Sequence, residues 1–473
     1  MRRIVAALAL ALAGCAVGPN YRAPATPPVA AGAFVSATPA IAAADAPPAN
    51  WWRLYDDAAL DGLVREALTE NEDLKVAAAN LAKARGVLEE ARAGLFPTTQ
   101  LQANDLWGVN GVEEILVPNA RPSWFATGAL NVSYEVDFFG RIRRTIEAAH
   151  AGAGAAAEAE NVVRITVAAE TARAYADACA FAEQADTARR SAETAQSILD
   201  LTERERDLGA KSDFDVASAA AVVDQAKAAI PTFEGERRAQ LFELAVLTGR
   251  PPSEISAAAA ACKTPPLIKR PLPVGDGAAL LRRRPDVREA ERTLAANTAR
   301  IGVATADFFP TVSLTGSGGP SGNSLKQFTS SSGLTYQLGP LITWTFPNVL
   351  AARAEVIQAR AEASASVASF HSTVLNALKE AEQALTTYDA ELARHAALVD
   401  NRNDNQRAFD LAQIQLERGA ISFPDLLQTE RNLETAQADL AASDQALIDD
   451  QVAVFQALGG GWEDAPKVVP PKP

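Results

Sequence analysis

The sequence predicts a mainly α-helical chain with a membrane β-barrel portion and an internal two-fold repeat. Three observations carry that expectation. First, the same stretches return 210 to 213 positions apart: "GLFPTTQL" (94–101) as "DFFPTVSL" (307–314), and "DLGAKSDFDV" (207–216) as "ERGAISFPDL" (417–426). Second, each half holds a proline-free helical run, 140 to 208 and 351 to 418. At 1.5 Å per residue each run is roughly 100 Å long, which no compact domain houses. Third, between the "FP" junction and that run the hydrophobic period changes to two, the mark of strands with one apolar and one polar face.

The chain begins with "MRRIVAALALALAGC". Arg2 and Arg3 followed by a short apolar run describe an export signal, too short to span a membrane as a mature helix. Its end, "LAGC", resembles a bacterial lipobox, which implies cleavage before Cys15 and a diacylglycerol on its thiol. Ala16 after the cysteine implies sorting to the outer membrane. Such an anchor tethers a chain and does not span the bilayer. Residues 15 to 50, rich in Pro and Ala, read as a linker.

Ordered sequence resumes at "WWRLYDD" (51–57). A first structural repeat is expected over 51–262, with a β-hairpin at about 98–137 and long helices over 140–248. An inter-repeat linker follows at 263–285. A second repeat over 286–458 has its hairpin at about 311–346 and long helices over 351–457, and 459–473 is a tail. Helix starts agree between the halves, Asp73 and Leu74 corresponding to Asp286 and Val287, with Pro285 at the first helical position. After each glycine turn runs a seven-residue series: Val216, Val223, Ile230 and Leu244, broken at Arg237, and Leu426, Leu433, Leu440, Leu447 and Val454 without a break. Such a spacing means helices that supercoil on neighbours. Small residues three positions on, among them Ala219, Ala226, Ala436 and Ser443, allow close approach.

The strands alternate. In "ATGALNVSYEVD", Leu130, Val132, Tyr134 and Val136 oppose Asn131, Ser133, Glu135 and Asp137; in "LTYQLGPLITWTF", Leu334, Tyr336, Leu338, Ile342 and Trp344 oppose Thr335, Gln337, Thr343 and Thr345. Strands of about ten such residues cross a bilayer in a barrel. Four strands cannot close one, and an open edge is not tolerated in lipid. Several chains therefore share one barrel, two giving eight strands or three giving twelve.

Composition narrows the function. The 48% hydrophobic content excludes a disordered chain, and its supply by alanine more than by aromatics (6%) suits closely packed helices. A formal charge of −14 excludes a nucleic-acid partner, which needs clustered Lys and Arg. The "GAGAAA" at 152–157 matches a dinucleotide-binding spacing, but no strand precedes it, and His150, His371 and His395 lack metal-ligand spacing. No enzyme is expected. Cys179 and Cys262 are an even pair in a chain bound for an oxidising compartment, open to a disulfide or to two free buried thiols. Counted along the helices from Gly209, both fall roughly 45 to 60 Å from the turn, so Cys262 is within reach of Cys179.

"CAVGPNY" (15–21), "WWRLYDDAALDGLVREAL" (51–68), "YEVDFFGRIRR" (134–144), "LLRRRPDVREAE" (280–291), "FFPTVSLTGSGG" (308–319) and "ALGGGW" (457–462) occur in that order. Together they resemble the TolC-type outer-membrane factors, in the lipoprotein, NodT-like branch that serves resistance-nodulation-division (RND) efflux pumps. The resemblance covers nearly the whole mature chain. It implies a homotrimer whose twelve-stranded β-barrel, four strands per chain, continues into a long α-helical periplasmic barrel. It further implies a passive outer-membrane exit duct for small molecules, with a periplasmic adaptor protein and an inner-membrane transporter as partners, outer-membrane lipid around the barrel and no cofactor beyond the lipid on Cys15. The alternatives are a duct for type I protein secretion and a non-conducting coiled-coil spacer or adhesin.

On that resemblance the turns at Gly209, Ala210 and Ser212 and at Gly419, Ala420 and Ser422 form the periplasmic tip that meets the adaptor, and Asp425 and Asp215 ring the pore constriction. Family members that latch the second turn with Tyr and Arg differ from this chain, which has Leu416 and Ile421 there. No polar latch of that type is expected.

Overall fold

The computed structural model describes residues 16–25, 30, 32–108, 122–322, 324–346 and 349–469. Cys15, the signal segment 1–14 and most of the first hairpin loop lie outside the described residues. The chain divides into two compact units, Met1–Pro24 with Ala82–Ala155 and Ala290–Phe370, and Ala25–Leu81 with Ala156–Glu289 and His371–Pro473.

The elements in order are β1 (Ala42–Ala43), α1 (Ala58–Glu70), α2 (Glu72–Ala93), β2 (Thr98–Gly108), β3 (Ser123–Val136), α3 (Arg141–Asp207), α4 (Asp213–Leu247), α5 (Ala257–Ala260), β4 (Leu272–Pro273), α6 (Gly277–Arg283), α7 (Pro285–Ala306), β5 (Thr311–Gly322), β6 (Leu334–Thr343), α8 (Val349–Glu417) and α9 (Phe423–Ala457). The proline-free runs are single helices of 67 and 69 residues, each followed by one of 35. Pro231 lies inside α4, where it removes one backbone donor without ending the helix. No helix among the described residues is long and apolar enough to cross a membrane.

In the first unit the four long strands form one antiparallel sheet in the order β2-β3-β5-β6. Both strands that follow a helix are entered through the same local chemistry. After α2, the amides of Leu95 and Phe96 bond the carbonyls of Arg92 and Ala93; after α7, those of Phe308 and Phe309 bond Thr305 and Ala306. Pro97 and Pro310 then end the helical turn and hold the chain extended. On the return, Asp137 accepts from the amides of Ile142 and Arg143, both at 3.0 Å, and so caps the start of α3.

The second unit is built on a tryptophan core. Trp51 stacks on Phe455 with ring centroids 4.9 Å apart, and Trp52 meets Trp51 edge-on. Leu60, Val64 and Leu68 of α1 fill the same core. Gly460 and Gly461 lie against Trp51, where an added Cβ would stand 3.1 Å from its ring. The short parallel pair β1 and β4 ties the linker to this core.

Candidate functional site

Two features stand out, one in each unit. The first is the sheet. Among the described residues its outer strands β2 and β6 each have one edge without a neighbour. Their apolar side chains are bare: Leu101, Leu106, Leu334, Tyr336, Leu338 and Ile342 are all exposed. Aromatics gather at both ends. Trp107 and Trp124 face each other across the loop end, 5.5 Å apart. At the helix end Phe139 stacks on Phe309 at 4.4 Å, and Trp344 meets Phe346 at 5.3 Å. A soluble sheet buries one face; this one leaves apolar rows and aromatic ends uncovered, as a membrane strand does.

The residues after Cys15 are seated at the helix end of this sheet. The Val17 amide donates to the Phe139 carbonyl at 3.1 Å. Arg144 donates to the carbonyls of Val17 and Gly18 and to Asn20 Oδ1 at 2.7 Å. Gly140 leaves the room: a Cβ there would fall 2.6 Å from the Ala16 Cα.

The second feature is the pair of helix turns. Gly209 and Gly419 have φ of 77° and 68°, a left-handed backbone that glycine adopts without a Cβ penalty. The Gly209 amide bonds the Arg206 carbonyl and the Ala210 amide the Glu205 carbonyl, both at 2.8 Å; Gly419 and Ala420 repeat this on Leu416 and Gln415. This is the paired closure that satisfies the last carbonyls of a helix. Three residues after each of these alanines the next helix begins. Asp215 Oδ2 accepts from the Ser212 amide at 2.9 Å and its hydroxyl at 2.8 Å, and Asp425 Oδ2 from those of Ser422 at 2.9 and 2.5 Å. Those bonds hold both carboxyls below the usual range: at Asp215 the backbone bond contributes most, at Asp425 the side-chain bond.

The two turns are held together. Phe423, Leu426, Leu427 and Leu433 pack with Val222 and Val223 of α4, Ile198 of α3 and Phe409 of α8. Leu416 and Ile421 lie against this cluster, and the Lys211 Nζ sits 4.8 Å from the centre of the Phe423 ring. The seven-residue series supplies the seam, with Val223, Leu426, Leu433, Leu447 and Val454 buried and Val216, Ile230 and Leu440 at its margin. Outside it, Leu208 and Phe214 are exposed beside the first turn.

Cys179, wholly buried on α3, is bonded to Cys262 just after α5, with Cα atoms 5.2 Å apart. His395 Nε2 lies 2.8 Å from Asp444 Oδ1, and "GAGAAA" is interior to α3. Sequence reasoning missed the buried carboxyl of Glu430 on α9 and the half-buried Glu434 a turn further on. Their signal was their spacing: Glu430 falls between Leu426 and Leu433 on the inward stripe.

A family model for outer membrane efflux proteins matches the chain twice, over residues 63–250 and 278–460. Nodulation protein T of Rhizobium leguminosarum bv. trifolii is 28% identical over 458 residues, 97% of either chain. The solvent efflux pump outer membrane protein SrpC of Pseudomonas putida is 30% identical over 468 residues, 96% of this chain and 97% of that one. Among solved structures the outer-membrane channel OprN aligns with a TM-score of 0.88 and 33% identity, covering 95% of this chain and 100% of that one. Alongside the uncovered apolar sheet of the first unit and the capped helix turns of the second, these matches make the chain a member of the outer membrane efflux protein family, in its NodT-like branch.

Proposed function

We propose that the protein is the passive outer-membrane exit duct of a tripartite RND-type efflux pump, carrying small molecules from a periplasmic assembly to the outside. One observation supports it above the rest: among the described residues the sheet has two unpaired edges and bare apolar rows. In lipid every backbone donor must be paired, so β6 of one copy joins β2 of the next until the ring closes. Three copies of an internally duplicated chain then give twelve strands, with the polar faces of the strands lining the lumen. The lipid on Cys15 anchors the chain in the outer membrane, and the clamp on Val17, Gly18 and Asn20 would hold the adjoining segment at the strand ends. The turns at Gly209 and Gly419 offer the surface for an adaptor protein, and an inner-membrane transporter supplies the energy. The purified oligomer is expected to conduct ions in planar bilayers and to have the mass of three chains. A folded protein without conductance would instead support a coiled-coil spacer.

Asp425, with Asp215, is proposed to narrow the resting pore at the tip. The carboxylate also caps its own helix, so two variants are required. Asp425→Ala is expected to raise resting conductance, whereas Ser422→Ala, which weakens the cap and keeps the charge, is expected to leave it near the starting value. Equal conductance in Asp425→Ala and the parent removes Asp425 from the constriction.

A further inference from the structure

Glu430 points into the packed side of α9, and only 2% of its surface is exposed. Among the described residues neither of its carboxyl oxygens has a hydrogen-bond partner, and one oxygen of Glu434, a turn further on, is in the same position. Both residues line a cavity of about 450 Å³ among α3, α8 and α9. The other charged groups around it are Glu183 and Arg190 on α3, Arg402 on α8 and Asp444 on α9. From α4, the residues that approach Glu434 (Gln225, Ala226, Ala229 and Phe233) are uncharged, and Arg431 of α9 lies on that side. None of the three arginines bonds Glu430. A carboxylate so placed has lost its hydration and received nothing in return, so its charged form is costly.

We propose that Glu430, assisted by Glu434, is a proton-binding site that controls how tightly the helices close behind the two turns. Protonated, it lets the bundle pack; ionised, it loosens the segment from Phe423 to Leu433. The cavity is joined to the turns by shared residues, since Phe409 and Leu433 belong both to its wall and to the apolar cluster that holds the turns together. A proton is favoured over a larger cation because both Glu430 oxygens are sealed from solvent, so a metal ion or an ammonium group cannot reach them in this packing.

Burial first, then the Glu434 carboxyl, raises Glu430 from 4.5 to about 7, against the pull of Arg431. Burial raises Glu434 as well. A carboxyl raised in the closed state stabilises it fully below its open-state value of 4.5 and loses that contribution as pH climbs through about 7. The opening equilibrium should therefore grow about 70-fold between about pH 5 and about pH 8.

The test is hydrogen exchange on the full-length oligomer in detergent, read on peptides within 423–433 and corrected for the intrinsic pH dependence of exchange. A local readout is needed because Asp449 and Asp450, raised by burial to about 7 and about 6, titrate elsewhere on α9. Protection is expected to fall about 70-fold over that pH range in the parent, to stay flat in Glu430→Gln, and to fall less steeply in Glu434→Gln. A flat parent, or an undiminished fall in Glu430→Gln, overturns the proposal. Should Glu430→Gln not fold, an undiminished fall in Glu434→Gln does the same. Protection restored by spermidine or Mg²⁺ at the alkaline end in the parent, and not in Glu430→Gln, assigns the site to a larger cation and overturns the proton. Conduction enters none of these outcomes, so they stand apart from the proposed export function.

Discussion

Cys262→Ser is expected to lower the unfolding free energy by about 4 kcal/mol, the entropy of releasing a long loop in the unfolded chain. The bridge closes 83 residues of sequence, among them the lower part of α3, the Gly209 turn and the whole of α4. A loop that long restricts the unfolded chain strongly. Cys262 is the better position to change. It is half-buried, so a hydroxyl there stays near water, whereas Cys179 sits in the apolar core beside Tyr175 and Ala178. Urea unfolding of the detergent-solubilised protein, oxidised and reduced, supplies the comparison. The parent should lose stability on reduction and Cys262→Ser should not. If reduction leaves the parent midpoint unchanged, the bridge contributes nothing. Oxidised, unfolded parent protein should also yield no reaction of either cysteine with a thiol reagent.

How far the sequence could be read depended on the range over which each rule acts. The turns at Gly209 and Gly419 were legible because a left-handed glycine, a serine three residues on and an aspartate three beyond that are local signals. The hairpins were legible because alternation reports directly on which face a strand shows. The disulfide came within reach of counting because two straight helices leaving one turn keep step, so residues on either can be placed by rise alone. Longer-range matters were hidden. Glu430 looked like an ordinary helix glutamate, since its isolation depends on Phe409 and on the α3 face opposite, far away in sequence. The stretch "LLRRRPDV" showed a helix start at Pro285 and a family resemblance but not what its arginines hold, because their partners lie as many as 175 positions away.

Those arginines underlie the other large effect. Arg284→Met is expected to cost about 3 kcal/mol, the lower end of the range for breaking a buried ion pair, because Glu380 is half-exposed and can recover water. The Arg284 side chain is 10% exposed and grips Asp286 with two bonds, Nε to Oδ1 at 3.0 Å and Nη2 to Oδ2 at 2.6 Å. It also donates to Glu380 at 2.8 Å and to the Ala457 carbonyl at 2.9 Å. Arg283 adds two bonds to the Leu458 carbonyl. Ala457 and Leu458 end α9, where the last carbonyls of a helix have no partner of their own. The guanidinium groups therefore cap α9 and charge-balance the start of α7 together. Burial works against both cations; at Arg284 the bonds to Asp286 and Glu380 outweigh it, and at Arg283 they are missing and burial prevails. Arg284→Lys should recover only part of the loss, since one ammonium cannot span Asp286 and Ala457 in the same planar fork. Because Phe455 stacks on Trp51 two residues before Ala457, loosening the end of α9 should also shift tryptophan emission to the red. A cycle with Glu380→Ala separates the contributions. Coupling under about 1 kcal/mol between Arg284 and Glu380 places most of the effect on Asp286 and the helix end, whereas a parent-like urea midpoint in Arg284→Met removes the network from the stability of the fold.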